Sequence, residues 1–129
     1  MFLLNKKQTG DHYENEACRY LQRHGLTHLG SNARFKQGEL DLIMRDGACI
    51  VFVEVKFRKK SSFGGAAAAI SSQKQQRLLR AAYLWLANKG LSATSTEFRF
   101  DAVTFDGGVN AVNWVRNILI EEVINAREH

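Results

Sequence analysis

A chain of 129 residues, 45% apolar and 24% charged, has the composition of a folded globular domain and not of a disordered segment. The length suits one domain, residues 1–129, with a core of its own. Eighteen Lys and Arg against 13 Asp and Glu leave a formal charge of +5, which favours a polyanionic partner, nucleic acid before membrane.

The two cysteines, Cys18 and Cys49, form no C-x-x-C spacing and read as small buried hydrophobes of a reducing compartment. Residues 1–4 are apolar but run at once into Asn5-Lys6-Lys7, too short a stretch for a signal peptide. No later stretch suits a bilayer, so no membrane is expected and the expected location is cytoplasmic.

In chain order, residues 1–9 read as a loose basic arm. Thr9 or Asp11 can cap a helix that runs to about residue 24, with Gly25 as its stop. Tyr13, Ala17, Tyr20 and Leu21 form its apolar stripe. A strand over 29–35 follows. Residues 40–44 and 48–57 then pair as a hairpin, because Asp46-Gly47 is a strong two-residue turn signal. The run from Ile50 to Val55 is apolar on both faces except for Glu54, the pattern of a central strand covered on both sides.

Arg58 to Gly65 reads as a mobile cationic loop in which Phe63-Gly64-Gly65 is a candidate flap. A helix from Ala67 or Ser72 to Asn88 is stopped by Lys89-Gly90 and buries Leu78, Ala81, Ala82, Trp85 and Leu86. A strand over 97–105, a turn at Asp106-Gly107-Gly108, a last strand over 109–115 and a closing helix over 117–126 complete the pattern. The chain has no proline, so glycine and polar clusters supply the punctuation.

The hairpin carries charge where buried-strand sequence rarely tolerates it. Gly38-Glu39-Leu40-Asp41-Leu42-Ile43 stands on one strand and Val53-Glu54-Val55-Lys56 on the next. With Asp46-Gly47 as the turn, Arg45 faces Ala48, Asp41 faces Phe52 and Glu39 faces Glu54. Glu39, Asp41, Glu54 and Lys56 then share one face. Asp41 is diagonal to Glu54, with backbones roughly 7–8 Å apart, close enough for two short acids to converge on one cation. A slip of one residue destroys the constellation.

Hard divalent ions take carboxylate, carbonyl and water oxygens. Asp41 and Glu54 can offer carboxylates and Val55 its carbonyl to Mg2+ or Mn2+. Lys56 is then placed to orient or deprotonate a metal-held water and to offset charge on a phosphate. The plainer alternative is a same-face ion pair of Glu54 and Lys56 beside a solvated Asp41. Arg58, Lys59 and Lys60 follow the site strand, and Gln73, Lys74 and Arg77 lie on the next helix, with Gln73 and Lys74 nearest the scissile phosphate. This set binds backbone phosphate without reading bases, or it is an ordinary solvated face. Asp101 can face the acids or pair with Arg99. His24 and His28 have ligand-like spacing, but Gly25 ends the helix between them, which argues against zinc.

Taken in order, Gly38 to Ile43, Phe52 to Lys56 with Arg58, Phe63-Gly64, Lys74 and Arg99-Phe100-Asp101 resemble the YraN-like uncharacterised bacterial protein family. That family is itself similar to Holliday junction resolvases and to the PD-(D/E)-x-K restriction-endonuclease-like superfamily. The resemblance implies an α/β fold, a central mixed β-sheet flanked by helices with an αβββαβ core. It implies a magnesium- or manganese-dependent endonuclease that hydrolyses phosphodiester bonds in DNA, with branched DNA a candidate substrate. Asp41 matches the first acid of the pattern, Glu54 the D/E position, Lys56 the lysine, and Glu16 the helical acid of the resolvase-like branch. Leu40 stands where the superfamily pattern has proline. Resolvases cut paired strands as dimers, so a homodimer is implied by analogy. Some members keep the fold without catalysis, which leaves two other readings: a non-catalytic nucleic-acid-binding module and a protein-interaction scaffold.

Overall fold

The computed structural model describes residues 5–58 and 71–118. The readings that fall on Lys59, Lys60, Phe63-Gly64-Gly65, Ala67 and the closing helix beyond residue 118 lie outside the described residues.

The first helix, α1 (Lys6–Arg23), starts earlier than the sequence suggested. Asn5 is its N-cap and forms a capping box: the Gln8 N–H donates to Asn5 Oδ1 at 2.8 Å, and the Asn5 N–H donates to Gln8 Oε1 at 3.0 Å. Two orphan amides are satisfied reciprocally, so the helix needs neither Thr9 nor Asp11 as a cap. Residues 6–9 are therefore helical and no loose arm. Gly25, at a φ of 93°, follows the C-cap His24 and turns the chain out of the helix.

Three strands follow: β1 (Thr27–Phe35), β2 (Gly38–Asp46) and β3 (Cys49–Arg58). Helix α2 (Ser72–Asn88) begins at the N-cap Ser71, whose side chain accepts from the Lys74 amide at 3.1 Å. Strand β4 (Phe98–Asp106) comes next, then a short 3-10 turn (Val109–Ala111) and β5 (Val112–Val115). The last strand is thus shorter than the expected 109–115.

The five strands lie in the order β1-β2-β3-β4-β5. Only the β3–β4 pair is parallel; the other three neighbours are antiparallel, so the sheet is mixed. Strand β3 is central, which is why both of its faces are apolar. Phe52, Leu78, Ala81, Ala82, Trp85 and Leu86 belong to one core, under α2. Ala17, Leu21, Val51, Val53 and Phe105 belong to the other, under α1. The described residues form an α/β fold with one helix against each face of a mixed sheet. No helix of the described residues is long and apolar enough to cross a membrane.

The β2–β3 register differs from the sequence-based count. Asp46 pairs with Cys49, so the loop is Gly47-Ala48. Gly47 alone takes a positive φ, 60°, the φ pattern of a type II′ turn, which asks for glycine first. An Asp-Gly turn of type I′ would have put the loop one residue earlier. The pairing moves by two residues, and Phe52 lies opposite Ile43 and not opposite Asp41. A shift of two leaves every side chain on its face.

Candidate functional site

The site is built where the pleat of β2 reverses. Leu40 and Leu42 are two apart on one strand, yet Leu40 packs under α2 and Leu42 under α1. In an undisturbed strand they would share a face. The cause lies across the β1–β2 ladder, where Ser31 pairs with Leu42 and Ala33 with Leu40. Between them Asn32 takes a φ of 51°, the left-handed region that asparagine tolerates better than most residues. Asp41 stands opposite this kink.

The β2–β3 ladder ends at the same level, with Leu42 and Val53 as its last pair. Beyond it the Val55 N–H donates to Asp41 Oδ2 at 2.9 Å, so a carboxylate takes over from the ladder. Counted one step past the last pair, Asp41 comes directly alongside Glu54. The two strands part here, with the Asp41 carboxylate reaching to β3 and Glu54 turned towards α2.

Glu54 is only 5% exposed, and a carboxylate so enclosed needs a partner. Lys74, in the first turn of α2, forms an ion pair with it. The Ser71 cap fixes that turn and so aims Lys74 at β3. Burial, followed by the charge of Glu54, pushes the Asp41 carboxyl up to about 8, while the Val55 N–H and Lys74 act in the opposite sense. Near neutrality Asp41 therefore retains much of its proton. Lys56, two residues along β3 from Glu54, has its ammonium pushed below the ordinary lysine range by burial and then by Lys74; Glu54 and Asp41 oppose this. Asp41, Glu54, Lys56 and Lys74 thus form one electrostatic unit.

Glu16 lies apart from it. It forms an ion pair with Arg19 on its own helix, which lowers its carboxyl, and the other charges acting on it are His12 and Arg23. The α1 acid on the side of the site is Glu14. Its charge raises Asp41, and burial raises Glu14 in turn, against a hydrogen bond from the Asn32 side chain. Glu14 Oε2 is buried and finds no partner among the described residues. Helical spacing carried a signal for it: Glu14, Ala17 and Leu21 follow the i, i+3, i+7 row that faces the sheet.

Of the other candidates, Val55 contributes its amide to Asp41. Arg58 closes β3, where its carbonyl accepts the Gly107 N–H at 2.7 Å. Gln73 and Arg77 are exposed on α2. Asp101 is fully buried and serves the architecture: it accepts from Arg99 Nε at 3.0 Å, Trp114 Nε1 at 3.0 Å and the Asn117 amide at 2.8 Å. Both cysteines are free thiols, Cys49 buried and Cys18 partly so. Among the described residues, no three His, Cys, Asp or Glu side chains gather closely enough to cage a metal ion by themselves.

A cavity of about 620 Å³ opens onto the acids. Asp41, Glu54 and Lys74 form one part of its wall; Arg34, Lys36 and Arg77 form another. The sequence reading missed Arg34 and Lys36, because nothing local ties β1 to a site on β2 and β3.

The match to known proteins covers this whole arrangement. Residues 13–105 fit the model of a family described as uncharacterised protein family UPF0102. A UPF0102 protein of Photobacterium profundum is 52% identical over 118 residues, covering 92% of this chain and 94% of the relative. One from Yersinia pseudotuberculosis serotype O:1b is 51% identical over 114 residues, covering 88% of this chain and 96% of the relative. One from Klebsiella pneumoniae subsp. pneumoniae is 50% identical over 111 residues, covering 86% of this chain and 85% of the relative. Glu14, Asp41, Glu54, Lys56 and Lys74 all fall inside the matched stretch, and the chain belongs to the UPF0102, or YraN-like, family.

Proposed function

We propose that the chain is a metal-dependent endonuclease that hydrolyses phosphodiester bonds in DNA, branched DNA included, on a restriction-endonuclease-like fold. The observation that carries this reading is the strand fork: Asp41 and the buried Glu54 side by side, two lysines within their field, and a cavity that Arg34, Lys36 and Arg77 also line.

The donor set fits a hard divalent ion. Both acids offer oxygen, and the Asp41 carboxyl, raised by burial and then by the charge of Glu54, marks a place where a second negative charge is poorly accommodated. Asp41 and Glu54 would hold Mg2+ or Mn2+, which would supply charge neutralisation and a water of lowered pKa. Glu14 stands behind Asp41 as the helical acid that the resolvase resemblance assigned to Glu16.

The protein's own groups divide the remaining work. Asp41 must give up its proton before it can act as a ligand. Lys74 neutralises Glu54 until a cation or a phosphate competes for it. Lys56, more easily deprotonated than an ordinary lysine, suits accepting a proton from the attacking water or facing the phosphate as its charge grows. Water adds to phosphorus, the ester P–O bond breaks, and the leaving oxygen takes a proton from solvent. A homodimer would bring two such sites to paired strands.

The test is cleavage of linear, single-stranded and four-way DNA with magnesium or manganese. Asp41→Asn and Glu54→Gln should each abolish it. No cutting of any substrate, or full activity in both variants, sinks the reading. A second reading, a non-catalytic nucleic-acid-binding module, draws on the Lys74–Glu54 ion pair, which supplies positive charge to the acids from within the protein. It expects DNA binding unchanged by Glu54→Gln and no cleavage.

A further inference from the structure

We propose that the β1–β2 turn and the first turns of α2 form a phosphate-binding wall, Arg34, Lys36 and Arg77, that holds the backbone of a nucleic-acid strand beside the acid pair. The inference rests on the reading that the acids face a phosphodiester, and it names the surface that brings one there.

Acids crowd the fork: Glu54 and Glu14 act on Asp41, and Asp11 and Glu39 act on Glu14. A polyanion approaching them is repelled unless cations flank its path. Arg34, Lys36 and Arg77 line the same cavity as Glu39, Asp41 and Glu54, and all three are exposed, Arg34 with the Glu39 carboxylate 3.5 Å away. The β1–β2 turn is seated on the helix: a Cβ on Gly38 would lie 2.6 Å from the Arg77 carbonyl oxygen. That close approach sets Lys36, two residues before Gly38, against the turn of α2 that carries Arg77.

The sheet order gives the wall its direction. β1 lies on one side of the β2–β3 fork, and Arg58 closes β3 itself, four residues beyond Glu54. A strand laid across the fork has Arg34, Lys36 and Arg77 under one flank, with Arg58 further along β3. These groups meet phosphate oxygens, so the wall positions a strand without selecting its sequence.

Salt-dependent binding tests this with calcium in place of magnesium, so that hydrolysis plays no part. Labelled single-stranded DNA, duplex DNA and RNA of one sequence are titrated by fluorescence anisotropy across a sodium chloride series. The Arg34→Gln/Lys36→Gln/Arg77→Gln protein should bind at least tenfold more weakly at low salt. Its log K against log salt slope should be shallower by about 2 to 3 on duplex DNA. The charge-keeping Arg34→Lys/Lys36→Arg/Arg77→Lys protein should retain the parental slope. Neutralising Arg23, Arg45 and Lys89, on other surfaces, should change it little. The DNA and RNA arms identify which strand the wall prefers. The proposal is overturned if no arm binds in a salt-dependent way, if the wall variant binds as the parent does, or if the distant triple variant loses as much. Cleavage is read separately: loss of the wall's effect leaves the Asp41→Asn result standing, and absence of cleavage leaves the binding slopes standing.

Discussion

The Lys74 ammonium rests on the Glu54 carboxylate and so joins the first turn of α2 to the middle strand of the sheet. Glu54 is buried and Lys74 is 43% exposed, so the pair is lopsided: one partner depends on the other more than the reverse. Removing the lysine leaves an uncompensated charge in a poorly solvated place. Lys74→Met should lower stability by about 1–3 kcal/mol, less than for a fully enclosed pair because solvent reaches the lysine side. Adding Glu54→Gln to Lys74→Met should recover part of that loss, a coupling that urea denaturation of the four proteins would measure. Equal stability of the parent and Lys74→Met would show that the pair carries no weight.

Asp41 ties stability to pH. Its carboxyl is raised from 3.8 to about 8, so the folded protein retains a proton that the unfolded chain releases above about pH 4. The contribution is fully present below pH 4 and is lost as the pH rises towards 8. Asp41→Asn keeps an acceptor for the Val55 N–H but has no charge to desolvate. It should therefore gain on the parent progressively between pH 4 and 8, by several kcal/mol at the upper end. Denaturation midpoints at several pH values check this, and parallel profiles for the two proteins would remove Asp41 as the source. The same sign predicts that magnesium binds more tightly as the pH rises and releases a proton in doing so.

Gly38 opens the acidic motif for a packing reason. An added methyl group would meet the Arg77 carbonyl oxygen at 2.6 Å, and that oxygen belongs to helix backbone. Gly38→Ala should cost about 1–3 kcal/mol through the forced separation of the β1–β2 turn from α2. Gly30→Ala is the matched control, because its methyl would lie an ordinary 3.7 Å from Ile43 Cδ1. Thermal melts of the two variants should separate clearly, and matched melts would refute the packing account.

The parts of this molecule that were legible in its sequence are those set by short-range pattern. The α2 stripe from Leu78 to Leu86 is buried as its spacing demands, and β3 is central as its two apolar faces demand. Turn chemistry was less decisive. Asp46-Gly47 and Gly47-Ala48 both place glycine in a two-residue loop, and only the φ of Gly47 without a second positive φ separates them. The error of two residues spared the face assignment because the strand period is two. The Asn5–Gln8 capping box was present in the sequence but lay inside a stretch read as an arm. The proximity of Lys74 to Glu54 and of Arg34 to Asp41 depends on where distant elements dock, and no local pattern encodes that.

Asn32 makes the most demanding test, because it couples the backbone kink to the acids. Its left-handed φ reverses the pleat that sends Leu40 and Leu42 to opposite cores, and its side chain hydrogen-bonds Glu14. Two substitutions separate these roles. Asn32→Gly retains the conformation and loses the hydrogen bond, so its stability should stay within about 1 kcal/mol of the parent. Asn32→Val opposes the conformation with a β-branched side chain and should cost about 2 kcal/mol or more. In both, Glu14 loses the contact that holds its carboxyl down, so its raised pKa should climb further. Only in Asn32→Val should Asp41 also be displaced from the Val55 amide. Amide exchange at Val55 reads that displacement directly: protection should persist in Asn32→Gly and fall in Asn32→Val, and cleavage of DNA should follow the same order. Equal protection of Val55 in the two variants would mean that the kink at Asn32 does not place Asp41.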